Sequence, residues 1–160
     1  MSEVIQKGKL AKEASGELNR ATTAEKNKAL QLIADQLRVD QAEILAANEQ
    51  DLQIGRQMGL SDAILDRMML DVSRLEDMVE AVKLLIDLKD PTGETIESIE
   101  KDNGLNVEKI RVPIGVIGMI YESRPNVTLD AATLSLKTGN AVVLRGSSSA
   151  IHSNKALVKS

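Results

Sequence analysis

The residues best suited to bind a ligand form a serine-rich turn between an apolar segment and a helical pattern. They are Arg145, Gly146, Ser147, Ser148 and Ser149. Open parallel sheets bind ligands at the carboxyl ends of their strands, where free backbone N–H groups and the helix dipole favour anions. Gly146 would let a ligand approach the backbone, and the hydroxyls could bind ribose or phosphate. The same pattern also fits a helix cap in a flexible loop, so both interpretations stay open.

A second polar segment follows the preceding apolar run. It consists of Tyr121, Glu122, Ser123, Arg124, Pro125 and Asn126. Because parallel strands end at the same edge of a sheet, we expect this segment to lie beside the serine turn. Arg124 could clamp a carboxylate or phosphate through two hydrogen bonds. Asn126 could donate to a developing oxyanion or, as its spacing favours, begin the following helix.

The usual glycine fingerprint of a dinucleotide site is absent. Gly115 and Gly118 give only G-x-x-G inside an apolar run, without glycines after the strand. A dinucleotide must therefore bind in a different way, and these glycines more often mark a helix packed closely on the strand. His152 has no second ligand nearby in sequence, so we interpret it as a solvated surface residue and expect no metal site.

A strand, a helix and a strand must position the two polar turns. Residues 114–120 are nearly all apolar, which is typical of a strand covered on both faces in a parallel sheet. A helix is predicted over 127–137 with Gly139 as its left-handed terminal residue, and 141–144 forms the next strand. With a further helix from about Ser149, this pattern predicts the start of a doubly wound parallel sheet of the α/β class, left incomplete.

The sequence before this unit is predicted to form a layer of amphipathic helices. Residues 2–89 carry apolar stripes at helical spacing, preceded by start signals. Thr22 with Glu25 and Asp40 with Glu43 have the spacing of capping boxes. The helical period stops at the Asp-Pro-Thr-Gly segment 90–93.

A β-hairpin is predicted between the helices and the parallel strands. Residues 94–100 and 105–112 flank Asp102-Asn103-Gly104, a turn signal that needs positive φ. Apolar parity shifts within 105–112, so we expect a bulge or an edge role there. The predicted division is a helical part at 1–93, a hairpin at 94–112 and a βαβ unit at 113–160.

Composition excludes several classes of function. The 160 residues are 42% hydrophobic, enough for one globular domain or part of a larger one. They contain no cysteine, so disulfides and thiol catalysis are excluded within them. With no Trp or Phe and Tyr121 as the only tyrosine, base stacking on nucleic acid is not expected. We also find no membrane span or signal peptide and expect a cytoplasmic protein. Residues 101–160 carry eight basic and four acidic side chains, weak support for an anionic ligand.

Residues 112–146 carry a specific resemblance. Their sequence, VPIGVIGMIYESRPNVTLDAATLSLKTGNAVVLRG, closely resembles the gamma-glutamyl phosphate reductase family of the aldehyde dehydrogenase superfamily. ESRPN and GNAVVLRG are specific to that family. ILAANEQDL at 44–52 and LDRMML at 65–70 match the superfamily more loosely. The resemblance covers essentially the whole chain and indicates an N-terminal fragment of such an enzyme.

The resemblance implies a reaction. In the family, NADPH delivers hydride to gamma-glutamyl phosphate, giving glutamate 5-semialdehyde and phosphate during proline biosynthesis. A cysteine thiolate displaces the phosphate and forms a thioester, which hydride then reduces. That cysteine lies beyond Ser160, so the chain alone is expected to be inactive. The alternative is a non-catalytic truncated module for folding or oligomerisation.

The resemblance also implies roles for individual residues. Arg145 occupies the position where the superfamily usually has a lysine that contacts the adenosine ribose. Ser148 occupies the position where NAD-preferring members often have a glutamate, and a serine in place of that glutamate favours NADPH. The superfamily's Trp-Asn oxyanion pair is missing, and Asn126 is the candidate replacement. Arg124 as an anchor for the substrate anion is our own inference. The residues assigned to the cofactor are Tyr121, Glu122, Arg145, Gly146, Ser147 and Ser148.

Two partners are also implied by the resemblance. The hairpin at 94–112 resembles the superfamily's oligomerisation strands, so a homodimer is expected. A functional link to glutamate 5-kinase follows from the acyl phosphate substrate.

Overall fold

A computed structural model describes residues 2–160. Its first half is helical: α1 is Glu3–Leu18, α2 Thr23–Val39, α3 Gln41–Gln57, α4 Asp62–Met68 and α5 Val72–Asp87. The second half contains the strands β1 (Thr95–Glu100), β2 (Asn106–Ile110), β3 (Val116–Ile120) and β4 (Ala141–Arg145). Helix α6 (Pro125–Lys137) joins β3 to β4, and a short 3₁₀ turn, Ser148–Ala150, leads into α7 (Ile151–Lys159). The predicted order of helical layer, hairpin and βαβ unit is confirmed.

A side-chain capping box fixes the start of α2, whereas the box predicted for α3 does not form. The box at Thr22 and Glu25 forms, with Glu25 Oε2 accepting from Thr22 N at 2.7 Å and Thr22 Oγ1 accepting from Glu25 N at 3.3 Å. The predicted box at Asp40 and Glu43 is wrong, because Asp40 makes no side-chain cap bond to α3. Its carboxylate instead accepts from Gln36 Nε2 at 2.9 Å, on the helix that ends there.

The core lies where α2, α5 and α6 pack together. It is aliphatic, as a chain without Trp or Phe requires. The buried side chains include Leu30, Ala34, Leu37, Leu75, Val79, Val82 and Leu129. The apolar stripes predicted on α2 and α5 therefore face inward, and their burial drives the association of the layer.

The βαβ unit has parallel strands in direct register, with Val116 opposite Ala141 and Ile120 opposite Arg145. Gly139 follows α6 with φ +71°, the left-handed conformation predicted for it. Helix α6 begins at Pro125, two residues before the predicted start, since proline is favoured in the first turn.

The prediction that β3 is covered on both faces is wrong for the described residues. Ile114 is 83% exposed and Ile120 86% exposed. Strand β3 pairs with β4 alone in residues 2–160, and no other element described here covers Ile114 or Ile120. Gly115 and Gly118 also do not mark a packed helix, because a Cβ at either position would meet no atom within 4 Å.

The hairpin of β1 and β2 is confirmed, and it forms a separate antiparallel sheet. The expected irregularity is a bulge at Ile96, between the pairs Thr95–Ile110 and Glu97–Lys109. All residues of both strands are exposed. Among the helices described here, none is long and apolar enough to cross a membrane.

Candidate functional site

The two polar turns lie side by side at the carboxyl edge of β3 and β4, as predicted. Tyr121 N donates to the carbonyl oxygen of Arg145 at 3.1 Å, which extends the parallel pairing into the turns. A cleft of about 330 Å³ opens beside the two turns, and it is lined by Glu122, Ser123 and Ser147 together with Ile64 and Arg67. We call this the edge cleft. It offers a ligand hydroxyl groups, one carboxylate and one guanidinium group.

Gly146 is required by the packing of the turn itself. A Cβ there would collide with Asn154 Nδ2 and lie 3.0 Å from Tyr121 Cζ. The Tyr121 hydroxyl lies 2.7 Å from Thr128 Oγ1, which in turn donates to Asn154 Oδ1 at 2.9 Å. On the side where a Cβ would stand, Gly146 therefore faces a tyrosine ring and an amide, while Gly146 and Tyr121 also line a cavity of about 820 Å³ beside α7.

Three N–H groups at the serine turn and the start of α7, those of Ser149, His152 and Ser153, already have side-chain acceptors and so are not free for an anion as the prediction expected. Ser147 Oγ accepts from Ser149 N at 3.2 Å. The backbone N–H groups of His152 and Ser153 donate to the Asp51 carboxylate on α3. His152 lies at the surface, as predicted, with 42% of its side chain exposed, and its Nδ1 also lies 2.7 Å from Asp51 Oδ1. The side chains of Arg145 and Ser148 are exposed beside this turn.

Asn126 lies in the first turn of α6 and does not cap it. The residue at the cap position is Arg124, which makes no side-chain cap bond. Asn126 Nδ2 donates to Asp130 Oδ2 at 3.3 Å, and both residues line a neighbouring cavity of about 310 Å³. Burial raises the pKa of the Asp130 carboxyl, which the hydrogen bond from Asn126 opposes. Arg124 is exposed and lines neither the edge cleft nor this cavity.

Arg67 on α4 is the site residue that the sequence analysis missed. It lines both the edge cleft and the cavity beside Asn126. Its Nη1 lies 3.9 Å from Glu122 Oε2, a long ion pair between exposed side chains. Periodicity could not single it out, because an arginine near the end of a short amphipathic helix is ordinary. Its place in the family-like segment LDRMML was the only available signal.

Comparisons with known proteins agree with this architecture. No family model matches the chain. Over 158 residues the chain is 65% identical to "Gamma-glutamyl phosphate reductase" of Bacillus velezensis, covering 99% of this chain and 38% of that protein. The protein of the same name from Bacillus subtilis is 64% identical over the same shares. The chain thus spans about two fifths of the length of these relatives.

Solved structures give the same result. The gamma-glutamyl phosphate reductase of Thermotoga maritima matches with a TM-score of 0.97 and 46% identity, over 99% of this chain and 38% of that one. The reductase of Saccharomyces cerevisiae matches with a TM-score of 0.94 and 31% identity, over 99% and 40%. A Bacillus subtilis aldehyde dehydrogenase at 19% identity and a TM-score of 0.67, over 94% and 31%, shows a shared fold. The family resemblance is thereby confirmed: over 99% of its length the chain matches gamma-glutamyl phosphate reductases in sequence and in fold.

Proposed function

We propose that the protein containing this chain reduces gamma-glutamyl phosphate with NADPH to glutamate 5-semialdehyde and phosphate, in the cytoplasm. The match to reductases of that name supports the reaction class. The observation that carries the proposal is the edge cleft, where the turns after β3 and β4 share one opening beside Arg67. Open α/β sheets bind nucleotides at this edge.

The residues of the two turns fit a phosphorylated dinucleotide. NADPH would supply the hydride, and Tyr121, Glu122, Arg145, Gly146, Ser147 and Ser148 would form one wall of its site. Ser148 presents a hydroxyl where a carboxylate would repel a 2′-phosphate, which favours NADPH over NADH. Gly146 would shape this wall without contacting the cofactor, since the absence of a side chain lets Tyr121 and Asn154 pack against the serine turn.

The chemical step needs a nucleophile that these 160 residues do not contain. Attack by a thiolate on the acyl carbon breaks the carbon–oxygen bond to phosphate and leaves a thioester. Hydride adds two electrons to that carbon, a proton follows, and the carbon–sulfur bond breaks to release the aldehyde. Asn126 Nδ2 is the proposed donor to the oxyanion that develops on the acyl oxygen.

The activity assay separates the chain from the complete enzyme. We expect a protein that extends beyond this chain and supplies the cysteine to oxidise NADPH with gamma-glutamyl phosphate. It should also run the reverse reaction with semialdehyde and inorganic phosphate. The 160 residues alone should give no turnover, because they contain no cysteine. A rate above background from the chain alone, or none in either direction from the longer protein, would contradict the proposal.

Arg67 and Arg124 offer a matched pair of variants. We expect Arg67→Gln, measured in the complete enzyme, to raise the KM for one phosphorylated ligand by roughly 10- to 100-fold, the effect of losing a hydrogen bond between charged groups. If Arg67 binds the phosphorylated ligand, Arg124→Gln should change that KM little, since Arg124 lies outside both cavities. The opposite ranking would support Arg124 as the substrate anchor and remove Arg67 from the site.

A second proposal concerns association through the hairpin. Ile96, Ile99, Val107 and Ile110 are all exposed on β1 and β2, and an exposed apolar edge requires cover. We propose a second copy of the protein as that cover. Sedimentation of the complete enzyme should show a dimer that Val107→Asp weakens. A wild-type monomer would exclude a dimer through the hairpin.

The non-catalytic alternative also predicts association through the hairpin, but without NADPH oxidation. It predicts in addition that the 160 residues sediment as one well-defined species. The link to a glutamate kinase follows from the substrate, because the acyl phosphate must come from phosphoryl transfer to the glutamate side chain.

A further inference from the structure

A buried carboxylate closes the amino-terminal end of α7. Asp51 is only 2% exposed. Its Oδ2 accepts from Ser153 N at 2.7 Å and from Ser153 Oγ at 2.6 Å, and its Oδ1 accepts from His152 N at 3.2 Å. The first N–H groups of a helix have no partner within it and carry partial positive charge. A residue about a hundred positions earlier in the chain therefore serves as the cap of α7.

The same buried cluster connects α7 to the segment that follows α4. Asn48 lies one turn before Asp51 on α3. Its Nδ2 donates to Ser153 Oγ at 3.0 Å and to the Met68 carbonyl oxygen at 2.7 Å, and its Oδ1 accepts from Leu70 N at 2.8 Å. Met68 directly follows Arg67, and the serine turn directly precedes α7. Helix α3 therefore fixes both sides of the edge cleft through two neighbouring polar side chains.

We propose that Asp51 is a positioning residue of the nucleotide site, and that it occupies the helix end where many parallel-sheet proteins bind nucleotide phosphates. The inference rests on the proposed function. With a carboxylate already bound to the His152 and Ser153 N–H groups, a phosphate at that position would meet a buried like charge. The phosphates of the cofactor must then bind elsewhere, and the task of α7 is to hold the serine turn in place.

Chemical rescue tests whether the carboxylate itself is what α7 requires. In Asp51→Gly we expect the amides of His152 and Ser153 to exchange with deuterium roughly tenfold faster, because their charged acceptor is lost. Sodium formate should restore slow exchange, since it can enter the vacated space, whereas sodium chloride at equal ionic strength should not. Inorganic phosphate should slow exchange in the variant and leave the wild-type protein unchanged.

Three outcomes would overturn the proposal. Formate and chloride could change the exchange rates of the Asp51→Gly variant equally. Phosphate could slow amide exchange in α7 of the wild-type protein. The amides of His152 and Ser153 in Asp51→Asn could exchange at the wild-type rate. The last variant keeps the test decisive if the glycine variant does not fold, because asparagine retains the shape but presents an N–H₂ group to two donors. Glu49→Gln, an exposed carboxylate on the same helix, is the control and should change nothing.

Kinetics of the complete enzyme test the link to the cofactor. Asp51→Asn should raise the KM for NADPH roughly tenfold while kcat stays near the wild-type value, because the serine turn shifts but the reacting groups do not. A lower kcat at unchanged KM would indicate fewer folded molecules and would contradict a positioning role. If wild-type enzyme shows no NADPH oxidation, the proposed function fails, while the exchange experiment still tests the cap.

Discussion

Gly146→Ala is expected to lower the free energy of unfolding of the chain by about 2 to 4 kcal/mol. The added Cβ would collide with the buried Asn154 amide and lie 3.0 Å from the Tyr121 ring, too close for either to remain in place. Moving Asn154 breaks its hydrogen bond to Thr128, which also serves the Tyr121 hydroxyl. Urea unfolding measures the loss. The Tyr121 ring signals in the NMR spectrum report the displacement, since Tyr121 is the only aromatic residue apart from His152.

Gly118→Ala is the matched control, because it lies on β3, the strand paired with β4. A Cβ at Gly118 meets no atom within 4 Å, so its stability should stay within about 0.5 kcal/mol of the wild-type value. Equal stability of the two variants would show that Tyr121 and Asn154 do not pack against Gly146.

Asp90→Asn is the second change with a large expected effect, a loss of about 3 to 5 kcal/mol in the free energy of unfolding. Asp90 Oδ2 lies 2.5 Å from Lys26 Nζ, and the two side chains are 7% and 1% exposed. Removing the carboxylate leaves Lys26 buried without its counter-charge. Lys137 is also buried nearby, where burial lowers its pKa and neutral oxygens of Asn27 and Ile86 accept its hydrogen bonds. Chemical unfolding at neutral pH measures the change.

The Asp90 carboxylate also makes the free energy of unfolding depend on pH in the acid range. Burial alone would raise the pKa of Asp90, but hydrogen bonds from Lys26, Thr92 and Thr23 outweigh it and lower the pKa from 3.8 to about 2. Because the pKa of Asp90 is lower in the folded protein than in the unfolded chain, the ionised carboxylate stabilises the fold at pH values above the unfolded pKa. This contribution of about 2 kcal/mol to the free energy of unfolding is lost as the pH falls from about 4 towards 2.

The Asp90→Asn substitution should abolish this part of the acid dependence. Glu3→Gln, which removes the exposed pair with Lys7, should leave the free energy of unfolding almost unchanged and serves as the control. An Asp90→Asn protein as stable as wild type at neutral pH would contradict the assignment.

The sequence predicted those parts of the site that follow from local pattern and strand order. The apolar runs before Tyr121 and Arg145 predict parallel strands, and parallel strands place their following turns together. The capping box at Thr22 and the left-handed Gly139 are equally local, and both were confirmed.

The residues that sequence analysis missed or misplaced depend on contacts between distant segments. Asp51 reaches α7 across about a hundred residues, so neither it nor its contact with His152 could be recognised from spacing. Arg67 enters the edge cleft because α4 lies across that cleft from the turns after β3 and β4. The failed box at Asp40 depends on how closely α3 follows α2, and the exposure of β3 depends on which strands lie beside it.

The proposed function rests on one physical claim, that the turns after β3 and β4 together form a wall of the NADPH site. A crystal structure of the complete enzyme with NADPH tests it most directly. We expect cofactor oxygens within hydrogen-bond distance of Ser147 or Ser148, contact with residues 121–123, and Asp51 still bound to the N–H groups of His152 and Ser153. Cofactor bound away from both turns, with the edge cleft filled by other protein segments, would contradict this claim.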